Sequence, residues 1–265
     1  MFSCRSLKLV CAALCLSSSF TVSAAGVTHK PVGKIAEQEV RHIATYFPGR
    51  MAGSPAELMM ADYVNQRFQT MGYQSDLRDF KTRYIYTSNE GKKDWHNVNA
   101  TSVIAVKPGT TDKQVLIVAH LDTYTPLSDD DVNHNLGGLT LQGVDDNASG
   151  VGVMLELAER LRNVKTKATV RFLALSAEEL GNKGAENYLS RMSQTDKANT
   201  LLVINLDSLI TGDKLYFHSG VNTPKAVAEK TRDRALKLAK RLGIHAAINN
   251  GHSEHYPQGN GCCSA

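Results

Sequence analysis

The sequence predicts an α/β fold, a three-layer α/β/α sandwich around a mixed, largely parallel central sheet. Three observations carry this expectation. Runs at 115–119, 170–175 and 201–206 are almost continuously apolar, broken only by Arg171 and Asn205, as strands covered on both faces are. Segments with helical spacing separate and flank them. Two further runs, 73–86 and 97–106, read as more exposed, antiparallel strands.

The first element in chain order is an address label. Arg5 and Lys8 form a basic start, residues 9–16 form an apolar run, and Val22-Ser23-Ala24 offers a cleavage-like site. The run is too short to span a bilayer. This pattern predicts a secretory signal peptide over 1–24 and a mature chain over 25–265, periplasmic or secreted. Its removal takes away Cys4, Cys11 and Cys15 and leaves Cys262 and Cys263. A disulfide scaffold is therefore excluded. The adjacent pair suits a local staple or free thiols, and no second pair completes a structural zinc site.

Ser54-Pro55-Ala56-Glu57 is a capping box with proline at the first helical position. Ala61, Val64, Phe68 and Met71 continue a helix that Gly72 ends. The strands 73–86 and 97–106 follow, with 91–95 as the polar loop between them. A second helix starts near Ala148, with Val151, Leu155, Ala158 and Leu161 on one face and Glu156 and Arg160 as an i,i+4 pair. A third is expected from Thr223-Pro224 to Gly243, with seven Lys or Arg against Glu229 and Asp233. That basic face reads as a solvated outer surface rather than a docking site.

Composition removes several function classes. The chain has 265 residues, 30 Lys+Arg, 26 Asp+Glu, a formal charge of +4, 20 Gly and 7 Pro. It is neither collagenous nor of low complexity, and +4 is too weak a balance for a nucleic-acid footprint. After the signal no stretch approaches transmembrane length, so no membrane or nucleic-acid partner is expected.

The chemistry gathers at strand ends. His120-Leu121-Asp122 follows the run 115–119, Glu178-Glu179 follows 170–175 after a short turn, and Asp207 follows 201–206. Gly143-Val144-Asp145-Asp146-Asn147-Ala148-Ser149-Gly150 leads into the second helix. Ligands of open α/β sheets bind outside the carboxyl ends of the strands. An imidazole with several carboxylates suits zinc, manganese or cobalt rather than a calcium cage. A carboxylate can bridge two such ions, and a spare glutamate can take a proton from the attacking water.

The series HLD, GVDDNASG, AEELGNKGA and NLD, preceded by GRMAGSPAE, resembles the motif series of the co-catalytic di-zinc aminopeptidases. The likeness runs from about residue 45 to 257, and exported bacterial members look most similar. It implies a single zinc-exopeptidase-like domain over 25–265 with two Zn2+ and hydrolysis of N-terminal peptide bonds in peptides or proteins. Carried across by motif, His120 and Asp207 would bind the first zinc, Asp146 would bridge, and Glu179 would bind the second. Glu178 would be the general base, and Asp122 would orient His120 from behind. Asp145 would be a charged neighbour rather than a ligand.

One departure stands out. The family's second zinc takes a histidine far downstream, whereas only 58 residues follow Asp207 here. His218, His245, His252 and His255 are available, with His252 and His255 as weak candidates for the fifth ligand. Ser253-Glu254-His255 resembles an element that relatives carry before that ligand. The resemblance thus implies a domain lacking its last strand and helix, with an incomplete second site. Two alternatives accompany the aminopeptidase reading. One is an inactive fold acting as a binding protein or remnant. The other is a different zinc hydrolase, carboxypeptidase-like, or a glutaminyl cyclase on the same scaffold. Asp129-Asp130-Asp131, soon after the histidine motif, raises the expectation of a basic N-terminal residue in the substrate, against a plain solvated loop.

Overall fold

A computed structural model of the chain describes residues 30–220 and 222–248. The signal-peptide reading, His252, His255, Cys262 and Cys263 lie outside the described residues.

The main sheet has five strands: β1 Gln74–Thr87, β2 Lys93–Lys107, β3 Gln114–His120, β4 Thr169–Leu175 and β5 Thr200–Asn205, in the order β1-β2-β4-β3-β5. It is mixed: β1 with β2 and β2 with β4 are antiparallel, while β4 with β3 and β3 with β5 are parallel. The helices are α1 Lys34–Tyr46, α2 Pro55–Thr70, a short α3 Asp129–Asn133, α4 Gly150–Leu161, α5 Lys183–Arg191 and α6 Gln194–Asn199. The alternation of side chains along each strand sorts the two faces. Val103, Ala105, Ile117, Ala119, Phe172 and Ala174 pack under α1, α2 and α4 with Ile43, Phe68 and Leu155. Ile104, Leu116, Val118, Leu173 and Leu175 turn the other way and meet Ala185 and Tyr188 of α5. Three layers result, as expected.

Within the larger core Phe172 sits 5.5 Å from the ring centres of both Phe68 and Tyr73. The Tyr73 hydroxyl donates to the Ala158 carbonyl at 2.7 Å, so its polar end is satisfied inside the core. Ser54 caps α2 by accepting from the Glu57 amide at 3.1 Å. Glu156 and Arg160 pair as expected at 2.8 Å. Glu156 also accepts from the amides of Gly33 and Ala36, both at 2.8 Å. It thereby caps the start of α1 from a different helix. No helix is expected from the sequence at 34–46; the structure forms one because Ala36, Val40, Ile43 and Ala44 bury a stripe against α4.

Four expectations need correction. The run 201–206, read as covered on both faces, forms the edge strand β5, which buries none of its residues fully and leaves Leu201 and Ile204 exposed. The turn between β1 and β2 is tighter than 91–95. Thr87 pairs with Lys93, so Lys93, Asp94 and Trp95 belong to the ladder. β2 is not an exposed strand in its second half, because it runs between β1 and β4 and buries residues 100–105. The helix expected over 223–243 is two, α7 Lys225–Lys230 and α8 Arg232–Arg241, because Thr231 leaves the helical region (φ −113°, ψ −83°). A small parallel pair, β6 Leu215–Phe217 with β7 Ala246–Ile248, completes the described fold. No helix among the described residues is long and apolar enough to cross a membrane.

Candidate active site

The three parallel strands end level with one another. His120 lies opposite Leu175 in the β3–β4 register. The Leu121 amide donates to the Leu175 carbonyl at 2.8 Å, and the Leu206 amide to that of Val118 at 2.8 Å. His120, the turn Ser176–Glu179 and Asp207 thus leave one sheet edge together. The fourth contributor is the helical turn Val144–Ser149 before α4, which breaks its helical geometry at Asp146 (φ −108°, ψ 98°). Asn147 donates to the Leu206 carbonyl at 3.0 Å and accepts from the Gly150 amide at 2.9 Å. This entry approaches β5 so closely that a Cβ on Gly150 would lie 2.2 Å from the Leu206 carbonyl oxygen. Glycine is needed there for space.

The result brings His120, Asp146 and Asp207 together, with one ligand atom of each within 4.8 Å of the others. His120 is buried. Its Nδ1 lies 3.1 Å from the Asp122 carbonyl oxygen and 3.6 Å from the Asp122 carboxylate. That leaves Nε2 facing Asp146 at 2.8 Å and Asp207 at 3.6 Å. Burial alone would lower the pKa of His120, but the carboxylates of Asp122, Asp146 and Asp207 outweigh it and raise it well above the ordinary value. A crowd of carboxylates around one imidazole is a donor set that a divalent transition metal satisfies.

Asp122, fully buried, works on both sides. Besides its contact with His120, its two carboxylate oxygens accept from the backbone amides of Glu178 and Glu179, each at 3.2 Å. One side chain therefore ties the end of β3 to the turn after β4. The sequence reading gave Asp122 only the histidine. Glu178 and Glu179 lie outside the 4.8 Å group and are half-buried. Burial, with the neighbouring negative charge of Asp122, Asp207 and Asp146, pushes the carboxyl of Glu178 up to about 7. Burial and Asp146 push that of Glu179 up to about 8. Glu179 and Asp146 line one cavity of about 520 Å³ with Tyr124, Thr140, Gln142 and Asp145.

Asp145 is engaged by the segment after β5. It accepts from the amides of Ile210 (2.7 Å) and Thr211 (3.1 Å) and from the Thr211 hydroxyl. His218 and His245 are exposed and take no part in the His120 group. The acidic run is engaged locally. Asp129 accepts from the Tyr86 hydroxyl (2.7 Å) and the Asn89 amide (2.8 Å), Asp131 from the Leu127 amide (2.7 Å), and Asp130 meets His134.

Two buried charged residues at the site's back were not singled out from the sequence. Arg50 is fully buried and donates only to main-chain carbonyls. Glu57, 1% exposed, accepts from the amides of Thr101 (2.8 Å) and Gly53 (3.2 Å) and from the Ser176 hydroxyl. Burial pushes its carboxyl up to about 7. The available signal was an arginine among small residues in GRMAGSPAE, and a capping-box glutamate that also reaches across the fold.

The family model for peptidase family M28 matches residues 102–257. The alkaline phosphatase isozyme conversion protein of Escherichia coli is 58% identical over 96% of this chain and 73% of its own. The aminopeptidase YwaD of Bacillus subtilis is 28% identical over 62% of this chain and 34% of its own. Among solved structures, a zinc aminopeptidase from Bacillus subtilis aligns with a TM-score of 0.64 at 16% identity, covering 82% of this chain and 84% of that one. A glutaminyl cyclase from Porphyromonas gingivalis aligns with 0.61 at 20% identity, covering 83% and 75%.

Proposed function

The chain belongs to peptidase family M28, and we propose that it is an exported zinc aminopeptidase that releases residues from free N-termini. One observation carries the reading: His120, Asp146 and Asp207 converge where three parallel strands end, with the glutamate pair on the adjoining turn. In this reading His120, Asp146, Asp207 and Glu179 would hold zinc, with Asp146 the ligand that a second ion would also use. Zinc supplies Lewis acidity, which makes a carbonyl carbon more electrophilic and a water more acidic.

The protein's own groups do the rest. Glu178 takes a proton from the attacking water and returns it to the leaving amine as the C–N bond breaks. Without metal its carboxyl is pushed up by burial to about 7, so burial favours a glutamate that can accept a proton. Asp122 fixes the base relative to the metal ligand by gripping His120 and the Glu178–Glu179 backbone. The cavity beside Asp146 and Glu179 receives the N-terminal residue, and its acidic wall attracts the free α-ammonium. Export rests on the leader pattern of residues 1–24. A preference for basic N-termini rests on the acidic run Asp129–Asp131, in which Asp130 already meets His134. Replacing all three with asparagine and comparing arginine with leucine substrates tests it; an unchanged preference sinks it.

The main test uses zinc-loaded protein on matched peptides with free and acetylated N-termini. Release of the first residue from the free peptide alone is expected. Equal cleavage of the acetylated peptide would overturn the exopeptidase reading. Cyclisation of an N-terminal glutamine without hydrolysis would assign the chain to the cyclase chemistry that also occurs on this fold. Zinc binding without turnover would leave a binding protein.

A further inference from the structure

We propose that Arg50 is a positioning residue that sets the spacing between the two loops carrying His120 and Asp146. This inference rests on the metal reading above and concerns how the two ligands are brought together. The guanidinium makes four hydrogen bonds. Nε donates to the Leu121 carbonyl at 2.8 Å, between His120 and Asp122. Nη1 donates to Gln142 at 2.6 Å and to Phe47 at 3.3 Å, and Nη2 to Gly143 at 2.7 Å. Gly143 opens the turn that carries Asp145 and Asp146. A single planar fork thus spans the histidine loop and the aspartate loop from behind, without touching either ligand side chain.

The main chain beside Arg50 repeats the connection. The Thr123 amide donates to the Arg50 carbonyl at 3.1 Å, and the Gly49 amide to the Leu141 carbonyl at 2.8 Å. Met51 and Thr123 form an isolated parallel bridge. The packing is closed on this side: a Cβ on Gly143 would lie 2.6 Å from Nη2 and 2.5 Å from the Asp146 carbonyl oxygen, and φ there is +53°. Glycine is required at 143 because its φ is positive and the Asp146 carbonyl, the Thr123 methyl and the arginine together occupy the space a side chain would need.

Charge adds a second reason for arginine. A buried cation is costly unless its donors are satisfied, and here the acceptors are neutral carbonyls. The nearby Asp122 and Asp146 carboxylates compensate it through space. In return the cation steadies two carboxylates that crowd His120. Lysine keeps the charge but offers a point donor on a flexible stem, so it cannot hold both loops at a fixed separation.

The test compares wild-type protein, Arg50→Lys and the core variant Phe68→Leu. Each is stripped of metal, and zinc affinity is measured by competition with a chromophoric chelator. Thermal midpoints of the zinc-free proteins are read in parallel. Arg50→Lys is expected to lose about 10- to 100-fold in zinc affinity, the range for residues that orient metal ligands from behind. Phe68→Leu is expected to lower the midpoint and leave affinity within about threefold. Should Arg50→Lys not fold, Arg50→Ala refolded with ethylguanidinium takes its place, and zinc binding that depends on the added guanidinium is the supporting result. Unchanged zinc affinity in Arg50→Lys would overturn the proposal, as would failure of both Arg50 variants to fold, which would assign the residue to folding alone. Absence of zinc binding in the wild type would instead remove the metal reading on which the proposal rests.

Discussion

The half of the site that grows from β3 and β4 and the half that grows from β5 differ in what stands behind them. His120, Asp122 and the Ser176 turn rest on buried apolar side chains of both sheet faces. Asp207 and the segment after it have little core of their own. Among the described residues from 200 onward, only Ala228 and Ala239 are buried hydrophobics, while Leu201, Ile204 and Ile210 are exposed. Polar tethers from the helix entry take over the work of packing there. Asn147 holds Leu206, Ser149 accepts from the Leu209 amide at 2.9 Å, and Asp145 holds Ile210 and Thr211. The comparison teaches that one half is preassembled by the hydrophobic core and the other by a few hydrogen bonds.

Substitutions in the two halves can break that contrast. Phe172→Ala removes a ring packed between Phe68 and Tyr73 and is expected to cost about 3–5 kcal/mol in urea unfolding. Ile210→Ala, at an exposed position, is expected to stay within about 0.5 kcal/mol. Similar costs for the two would erase the distinction. Glu178→Gln tests whether the chemistry belongs to the preassembled half. Turnover is expected to fall by about 10²-fold or more, as loss of a general base does, while zinc content persists. Full turnover would remove Glu178 from the reaction.

Glu57→Gln probes the support beneath that glutamate, because Glu57 holds Ser176 and β2 together. The native carboxyl, raised by burial to about 7, keeps a proton that the unfolded chain has lost above its ordinary value. The native state therefore binds more protons between about pH 4.5 and 7, and stability falls as pH rises through that window. The variant is expected to lose that share of the slope and about 1–3 kcal/mol from the disturbed bonds. Unfolding of both proteins across the window measures it; parallel slopes would contradict the account. Asp145→Ala should have a smaller effect than Glu57→Gln, about 1 kcal/mol of local tethering. Faster hydrogen exchange at the Ile210 and Thr211 amides, with the global midpoint unchanged, is the expected result.

What was legible in the sequence follows the same divide. The buried runs 115–119 and 170–175 declared themselves because strands covered on both faces carry no polar alternation, and His120 and Glu178 could be placed at their ends; Asp207 follows the apolar run 201–206, which the structure leaves largely exposed at the sheet edge. The joints were not legible. Nothing local in GRMAGSPAE tells that Arg50 reaches Leu121 and Gly143, or that Glu57 reaches Ser176, since those partners are distant in sequence. Asp145 and Asp146 are neighbours of the same type; the motif resemblance singled out Asp146, but the contact of Asp145 with Thr211, far off in sequence, shows only in the fold. The break at Thr231 was hidden because the apolar and basic spacing runs on across it.

The most direct test of the central claim is zinc per chain at fixed free zinc, measured by elemental analysis for the wild type and for Asp146→Ala. If Asp146 belongs to the proposed zinc site, bound zinc is expected in the wild-type chain and almost none in the variant. Equal zinc in both proteins would contradict the centre described here.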